Sequence, residues 1–223
     1  MFTPSPKEGE KGGFLVRGFI TFEGPEGCGK STHSTRLKSY LEGKGERVLL
    51  TREPGGTQVG KAIRDLLLDP ASILDDTTEI YLFAADRSEH VTKVILPALK
   101  EGKTVISDRY VDSTIAYQIG GRKLPEDLVR YLNMISGKGL MPDLTILLDV
   151  SPEVGLKRAT QNRQADRFEQ EIVDFHRRVR SKYLSLAAAD PERIKVIKTD
   201  DKDIEQVQSL IREIIDAKRG NQG

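Results

Sequence analysis

Short apolar runs alternate with longer segments of helical periodicity along most of the chain. Runs of strand length lie at residues 14–23, 47–51, 104–107, 143–150 and 194–198. Apolar residues recur every three or four positions in the segments between them, at residues 31–42, 58–68, 77–100, 125–136, 169–189 and 204–217. Such spacing predicts amphipathic helices. Strands that alternate with helices form a parallel sheet with helices on both faces. The sequence therefore predicts an α/β fold of three layers, with a five-stranded parallel sheet in the middle.

Prolines and polar segments refine these boundaries. Pro97 is expected to kink the long third helix or to begin its last segment. A short helix is predicted at residues 113–118, and another begins at Pro152 with Ser151 as its N-cap. Residues 160–168 are polar and rich in Arg and Gln, which indicates an exposed, mobile segment.

The 223 residues are expected to form one domain. Residues 1–13 are rich in Pro, Gly, Lys and Glu, and we interpret them as a disordered tail. The folded domain then covers residues 14–218, with a mobile lid at about residues 153–168. Residues 219–223 are expected to form a short C-terminal tail.

Composition and charge limit the classes of partner. Hydrophobic residues make up 37% of the chain, and 35 Lys and Arg nearly balance 34 Asp and Glu. No overall basic field therefore favours nucleic acid. The one cysteine, Cys28, excludes an intramolecular disulfide and fits a reducing cytosol. The N-terminus lacks the apolar core of a signal peptide, and no apolar run reaches the ~18 residues of a membrane helix. We expect a cytoplasmic protein with neither nucleic-acid nor membrane partners.

A phosphate-binding loop is predicted between the first strand and the first helix. Residues 24–31 fit the pattern G-x-x-x-x-G-K-[ST]. Glycines let backbone N–H groups wrap around phosphate oxygens, and the following helix adds its positive dipole end. Lys30 supplies a charge for the β and γ phosphates, and Ser31 offers a hydroxyl to Mg²⁺. A plain glycine-rich turn is the alternative, which the strand before it and the helix after it disfavour. The predicted ATP phosphate-binding residues are Gly24, Pro25, Glu26, Gly27, Cys28, Gly29, Lys30, Ser31 and Thr32.

Polar residues follow several of the predicted strands. Because the carboxyl ends of parallel strands share one edge, Glu23, Arg52, Asp108, Arg109 and Asp149 should converge there with the loop. Asp108 is expected to hold Mg²⁺ together with Ser31, although a strand-end turn aspartate is the alternative. Arg52 and Arg109 suit a second phosphate beyond those of ATP, with surface ion pairs as the alternative.

Cations in the segment of residues 157–167 allow two interpretations. On a mobile cover they could close over a transferring phosphoryl group. They could also form a solvated charged face.

The enzyme class also stays open at this point, because phosphate loops occur in kinases, switch GTPases and mechanical ATPases. The chain has no N-K-x-D guanine motif, and Asp108 is followed by Arg rather than by a water-activating Glu. Both absences favour a small-molecule kinase.

Seven stretches resemble the thymidylate kinase (dTMP kinase) family and occur in family order. They are Phe22-Glu23-Gly24 with the phosphate loop, TREPGGT at residues 51–57, LFAADR at residues 82–87, Asp108-Arg109-Tyr110, Ser113-Thr114 with Ala116-Tyr117-Gln118, Leu148-Asp149-Val150, and DRFE at residues 166–169. They cover roughly residues 14–218. The phosphate loop alone is unspecific, whereas TREPGG and FAADR together are highly specific.

The resemblance implies a fold and a reaction. The fold is the P-loop kinase fold of nucleoside monophosphate kinases, with a five-stranded parallel sheet and a mobile lid. The reaction transfers the γ-phosphoryl group of MgATP to dTMP and gives dTDP and ADP, on the pathway to dTTP. Such enzymes are typically cytosolic homodimers. ATP is then the co-substrate, Mg²⁺ the cofactor and dTMP the phosphoryl acceptor.

Family roles carry over to matching positions. Phe83 would stack on thymine, Arg87 would donate to O4, and Thr114 and Gln118 would complete the base contacts. Arg52 and Arg109 would hold the acceptor phosphate, Glu26 would lie by the 3′-hydroxyl, and Tyr117 would crowd the 2′ position. The expected dTMP-binding residues are Glu26, Arg52, Pro54, Phe83, Arg87, Arg109, Thr114, Tyr117 and Gln118. The expected catalytic residues are Lys30, Arg109, Glu26 and Arg163.

Three positions retain alternatives. Periodicity alone would make Phe83 an ordinary core residue, and only the FAADR match favours a base contact. Some family members carry an arginine inside the phosphate loop, where this chain has Gly27, whereas bacterial-style members place basic residues on the lid. On that lid, Arg163 is a better candidate than Arg158. Cys28 lies near a helix N-terminus and Lys30, which favour a thiolate, but an inert residue facing the loop interior is the alternative.

Overall fold

Five parallel strands form the centre of the molecule. The computed structural model describes residues 18–161 and 164–220. The strands are β1 (Phe19–Glu23), β2 (Val48–Arg52), β3 (Thr104–Asp108), β4 (Leu144–Asp149) and β5 (Ile194–Lys198). They lie in the order β2-β3-β1-β4-β5, and every neighbouring pair is parallel. The five-stranded parallel sheet predicted from the apolar runs is confirmed.

Helices connect the strands. They are α1 (Lys30–Gly43), α2 (Gln58–Leu68), α3 (Asp76–His90), α4 (Leu96–Lys100), α5 (Val111–Thr114), α6 (Glu126–Ser136), α7 (Pro152–Thr160), α8 (Val173–Ala189) and α9 (Ile204–Gly220). A π-helical turn, Val91–Ile95, joins α3 to α4, and Pro97 lies in the first turn of α4. A second π-helical segment, Ile115–Gly121, continues α5. Pro97 begins the last segment of the long helix as predicted, because its missing N–H needs no partner there.

Alternate residues of the sheet are buried on opposite faces, which explains the near-continuous apolar runs. On one face, Phe22 and Ile146 pack with Leu37 of α1 and Ile211 of α9. The opposite face is covered in two places. The residues there are Leu147, Ile194, Phe175, Val179 and Tyr183 beside α8, and Phe19, Val105, Val91 and Ile95 beside the turn after α3. The three-layer α/β fold is confirmed.

Several boundaries differ from the prediction. α8 begins at Val173 rather than at residue 169. Phe168 is buried, so it does not belong to an exposed segment, because its ring packs against Phe83 and Tyr117. Ser151 occupies the N-cap position of α7, but its hydroxyl donates to Asp200 Oδ1 at 2.5 Å instead of capping the helix.

The C-terminal helix is longer than predicted. α9 continues through Gly220, so residues 219 and 220 of the predicted C-terminal tail are helical. The predicted N-terminal tail, residues 14–17 of the first predicted strand, Arg163 and residues 221–223 lie outside the described residues. Among the helices of residues 18–161 and 164–220, none has both the length and the hydropathy that crossing a membrane requires.

Candidate active site

The loop between β1 and α1 makes tight turns at its glycines. Gly24 and Gly27 have φ of 141° and 66°, in the region that favours glycine. A Cβ atom on Gly24 would lie 2.2 Å from the carbonyl oxygen of Leu148, and one on Gly27 would lie 1.9 Å from that of Gly155. The loop therefore needs glycine at both positions to fit against β4 and α7. The strand–loop–helix arrangement predicted for a phosphate loop is present.

Lys30 points back into this loop. Its Nζ donates to the carbonyl oxygens of Gly24 and Pro25 at 3.1 and 2.8 Å, and it lies 3.4 Å from Cys28 Sγ. Burial raises the pKa of the Cys28 thiol, although Lys30 and Arg109 oppose the shift. The structure therefore favours the interpretation of Cys28 as an inert residue facing the loop interior.

Ser31 and Asp108 meet at the edge of the sheet. The Ser31 hydroxyl donates to Asp108 Oδ2 at 2.5 Å, which joins the start of α1 to the end of β3. Two hard oxygen ligands beside a phosphate loop suit Mg²⁺, which is bound by one or two protein oxygens together with phosphates and water. No group of three or more His, Cys, Asp or Glu side chains arranged to hold a metal occurs within residues 18–161 and 164–220.

Arg109 and Glu26 form a partly buried ion pair beside the loop. Arg109 Nη2 donates to Glu26 Oε2 at 2.5 Å, and the Tyr117 hydroxyl donates to Glu26 Oε1 at 2.7 Å. Burial by itself would raise the pKa of Glu26, but Arg109 and Lys30 reverse the effect and lower it. Glu26 is thus held as a carboxylate that faces two cations. It can accept a hydrogen bond from a substrate hydroxyl.

A third arginine joins the two that were predicted to bind a second phosphate. Arg64 of α2 lines the same cavity as Arg52 and Arg109 and donates from Nη1 to the Pro54 carbonyl oxygen at 3.1 Å. Its pKa is lowered by burial and by the charges of Arg52 and Arg109. The sequence pattern did not identify Arg64, because α2 also carries Lys61, and only the packing of the helix tells which cation faces the cavity.

The residues predicted to contact a base lie at the other end of the cavity. Phe83 is partly exposed there, with its ring centroid 5.9 Å from that of Phe168. Arg87 is buried and donates through all three of its nitrogens. The acceptors are Glu53 Oε2 at 2.8 Å, Asn133 Oδ1 at 2.5 Å and Thr114 Oγ1 at 2.8 Å. A guanidinium has five N–H groups, so two remain for a ligand.

Four carboxylates near the cavity are buried, which the sequence did not predict. Glu53 binds Arg87 and His90, and Glu79 binds Gln118. Burial, with the neighbouring charge of Asp112, raises the pKa of Glu23 to about 7. Burial, with the charge of Glu53, raises the pKa of Asp86 to about 6. Glu23, Glu53 and Asp86 lie in stretches that resemble the family, but their partners come from distant parts of the chain, so the stretches alone did not reveal these contacts.

One cavity of about 360 Å³ brings most of the predicted residues together. The predicted residues that line it are Glu26, Gly27, Gly29, Lys30, Ser31, Thr32, Arg52, Pro54, Phe83, Arg87, Asp108, Arg109, Thr114, Tyr117 and Gln118. Gly24, Pro25 and Cys28 belong to the loop but do not line the cavity. Arg158 of α7 lines it and donates to the carbonyl oxygens of Thr199 and Asp200.

Known proteins resemble this chain over nearly its whole length. A sequence model of the family "Thymidylate kinase" matches residues 22–211. A thymidylate kinase of Oleidesulfovibrio alaskensis is 48% identical over 207 residues, which cover 88% of this chain and 98% of the relative. One of Neisseria meningitidis serogroup B is 46% identical over 202 residues, which cover 91% and 98%. The crystal structure of the thymidylate kinase from Ehrlichia chaffeensis superposes with a TM-score of 0.74 at 36% identity, covering 90% of this chain and 98% of that one. The chain therefore belongs to the thymidylate kinase family, which phosphorylates dTMP to dTDP with ATP.

Proposed function

We propose that this cavity is the place where the protein, a phosphotransferase of the thymidylate kinase family, binds dTMP beside the phosphates of ATP. The observation that carries the proposal is that one cavity is lined both by the phosphate-loop residues Lys30 and Ser31 and by the aromatic and polar residues expected at a base. A nucleotide needs both an anion site and an aromatic face.

The acceptor nucleotide is proposed to lie along the cavity. Its base stacks on Phe83, with Arg87, Thr114 and Gln118 at its polar edge. Its phosphate is bound by arginines, since guanidinium groups match phosphate oxygens in geometry and charge. The proposed phosphate and sugar contacts are Arg52, Arg64 and Arg109 at the phosphate, Glu26 at the 3′-hydroxyl and Tyr117 at the 2′ position. Pro54 stays among the proposed dTMP contacts.

Catalysis is proposed to rest on positioning and charge neutralisation, without a covalent intermediate. Lys30 and Arg109 would offset the repulsion between the two phosphate groups and stabilise charge on the transferring oxygens. Arg163 remains the proposed third cation, on a lid at about residues 153–168. That lid includes α7, whose Arg158 and Ala159 line the cavity. Ser31 and Asp108 would hold Mg²⁺, which neutralises charge on the β and γ phosphate oxygens when it is bound.

Assembly and location are proposed from surface and composition. Large apolar side chains are exposed on α2, α3 and α6, and α3 packs against both of the other helices. These side chains are Val59, Leu66, Tyr81, Tyr131, Met134 and Ile135. A second copy of the chain would cover them, which supports a homodimer. The single cysteine is consistent with the cytoplasm.

The test is a panel of nucleoside monophosphates with MgATP, read by coupled ADP release. The carbonyl at C4 of thymine and uracil accepts from Arg87, whereas the amino group of cytosine opposes its N–H groups with another donor. Such a mismatch can cost ~10⁴-fold, and a missing methyl group about 10-fold. The expected order of kcat/KM is dTMP, then dUMP, then dCMP. Equal turnover of dCMP and dTMP would refute the proposed base site. ADP release at the same rate with and without dTMP would indicate an ATPase.

A further inference from the structure

Glu79 is a fully buried carboxylate one helical turn before Phe83 on α3. Its Oε1 accepts from Gln118 Nε2 at 2.8 Å and from Arg122 Nε at 3.1 Å. Its Oε2 accepts from Arg122 Nη2 at 3.1 Å and from Arg167 Nη2 at 2.6 Å. Glu79 does not line the cavity, but Gln118 does. Of these three described hydrogen-bond partners, Gln118 alone lines the cavity, so it links the carboxylate to the site.

This contact fixes which way the Gln118 amide faces. A carboxylate that is surrounded by two guanidinium groups is an acceptor only, so it must be met by the NH₂ group of Gln118. The reversed amide would place a carbonyl oxygen against a buried negative charge and lose the hydrogen bond. Glu79 takes one of the two N–H groups of the Gln118 NH₂, and the acceptor that Gln118 keeps for a ligand is its side-chain carbonyl oxygen.

The carboxylate itself is held in place from two sides. Arg122 is also paired with Glu171, and its guanidinium lies 4.8 Å from the Phe175 ring centroid. The guanidinium of Arg167 lies 4.6 Å from the ring centroid of Phe168, and its Nε donates to the Leu67 carbonyl oxygen at 2.8 Å. Glu79 therefore cannot turn away from Gln118 without breaking these contacts.

We propose that Glu79 is a positioning residue for base selection, which acts by fixing the Gln118 amide with its oxygen toward the base. The inference rests on the proposed base site. At N3, thymine and uracil carry an N–H donor, which an amide oxygen accepts. Cytosine carries an unprotonated nitrogen there, which is an acceptor and is repelled by that oxygen. Glu79 thus selects against cytosine from outside the cavity.

The test compares kcat/KM for dUMP and dCMP, two substrates without the thymine methyl group, in Glu79→Gln and in the parent protein. An amide at position 79 can either accept from Gln118 or donate to it, so both orientations of the Gln118 amide become possible. The dUMP to dCMP ratio should fall by about 10-fold or more, a part of what a mismatched polar contact can supply. The KM for ATP should stay near the parent value.

Arg122→Lys is the matched control, because Arg122 pairs with Glu79 but lies outside the cavity. It should lower stability without changing the dUMP to dCMP ratio. An unchanged ratio in a folded Glu79→Gln protein, or an equal fall in Arg122→Lys, overturns the inference and leaves Glu79 a structural role only.

Gln118→Leu separates this inference from the proposed base site. If that variant keeps the parent ratio, the base site is wrong; if its ratio falls while that of Glu79→Gln does not, only the role of Glu79 is wrong. If Glu79→Gln fails to fold, Glu79→Asp is tested instead. Aspartate keeps the negative charge, but its shorter side chain places the carboxylate farther from Gln118. If neither folds, exchange of the Gln118 side-chain amide protons in the parent protein decides, since fast exchange overturns the fixed amide and slow exchange supports it.

Discussion

Arg109 has a backbone conformation that few residues other than glycine adopt, with φ of 75°. Its amide nitrogen donates to the Phe22 carbonyl oxygen at 2.9 Å, and its side chain reaches Glu26, Ser113 and the carbonyl oxygen of Gly24. Strained residues of this kind persist where the surroundings determine them, often at functional sites. Arg109 thus occupies a fixed position between the phosphate loop and the proposed acceptor.

Lys30→Ala should abolish phosphoryl transfer while the protein stays folded. Removing a cation at a transferring phosphoryl group costs ~10²–10³-fold in kcat, and the two carbonyl oxygens that Lys30 contacts can bind water instead. Lys38→Ala on the exposed face of α1 is the control, with a side chain that is 37% exposed, and should leave kcat unchanged. Steady-state kinetics and the melting temperature of both variants measure this. Near-normal turnover in Lys30→Ala would contradict the phosphate-loop assignment.

Asp86→Asn should change how stability depends on pH. The pKa of Asp86 is raised to about 6, chiefly by burial, and its Oδ2 has no hydrogen-bond partner within residues 18–161 and 164–220. The folded protein therefore retains a proton that the unfolded chain releases near pH 4, so this group lowers stability as pH rises from about 4 to 6. A pKa difference of about two units between the folded and the unfolded state lowers the free energy of unfolding by up to ~3 kcal/mol over this pH range.

Asparagine keeps the Oδ1 that accepts from the Gly55 amide at 3.0 Å and carries no charge. The free energy of unfolding from urea titrations at pH 4, 5, 6 and 7 measures the effect. The parent protein should lose stability relative to Asp86→Asn between pH 4 and 6, with a constant difference above pH 7. Parallel pH profiles for the two proteins would show that Asp86 has an ordinary pKa in the folded state.

Single residues were predictable from the sequence where a strand end or a motif positions them. Ser31, Asp108 and Arg109 are examples, because parallel strands bring their carboxyl ends to one edge whatever their order. Glu53, Glu79 and Asp86 were not predictable, because their roles depend on partners that only tertiary packing supplies. The same holds for Arg64, which the packing of α2 turns toward the cavity.

At the scale of elements, the phosphate loop and α7 pack backbone against backbone. A Cβ atom on Gly155 of α7 would lie 2.3 Å from the carbonyl oxygen of Glu26. Gly27, at the same contact, could not become an arginine without moving α7. This contact explains why the phosphate loop of this chain has a glycine where some family members have an arginine. From the sequence, the absence of that arginine could be interpreted only through the family resemblance.

Gly155→Ala should therefore displace the loop and impair catalysis. Alanine would favour the helix by ~1 kcal/mol, but the added carbon must push Glu26 aside, and misplacement of about 1 Å can cost ~10²-fold. Gly43→Ala at the end of α1 is the control, since no atom of the described residues outside its own helix backbone and chain neighbours lies within 4 Å of the added carbon. We expect a fall in kcat/KM for ATP in Gly155→Ala alone, measured by coupled ADP release. If kcat/KM for ATP were the same in both variants, displacement of the phosphate loop by the added carbon would not impair catalysis.

For the whole molecule, the sequence was sufficient to predict the layers but not the arrangement within them. Apolar runs buried on both faces predict the five strands, yet the order β2-β3-β1-β4-β5 depends on crossovers that local patterns do not encode. The buried position of Phe168 was missed for a similar reason: its contacts with Phe83 and Tyr117 join three separate parts of the chain. The sequence also does not predict subunit contacts. Amphipathic spacing indicates that a helix has an apolar face toward the core, but it does not show what covers a second apolar face on the surface.

Tyr81→Glu should convert the proposed homodimer into monomers. Tyr81 is 54% exposed on α3, between α2 and α6, each of which carries further exposed apolar side chains. A charge at the centre of an apolar interface would be buried without a partner, which costs several kcal/mol. Ile204→Glu is the matched control, since Ile204 is 47% exposed at the start of α9, which packs on α1 and β5. Sedimentation equilibrium should give twice the chain mass for the parent and for Ile204→Glu, and one chain mass for Tyr81→Glu. A parent protein that sediments as a monomer at micromolar concentration, or a Tyr81→Glu protein that remains dimeric, would exclude this face as the subunit interface.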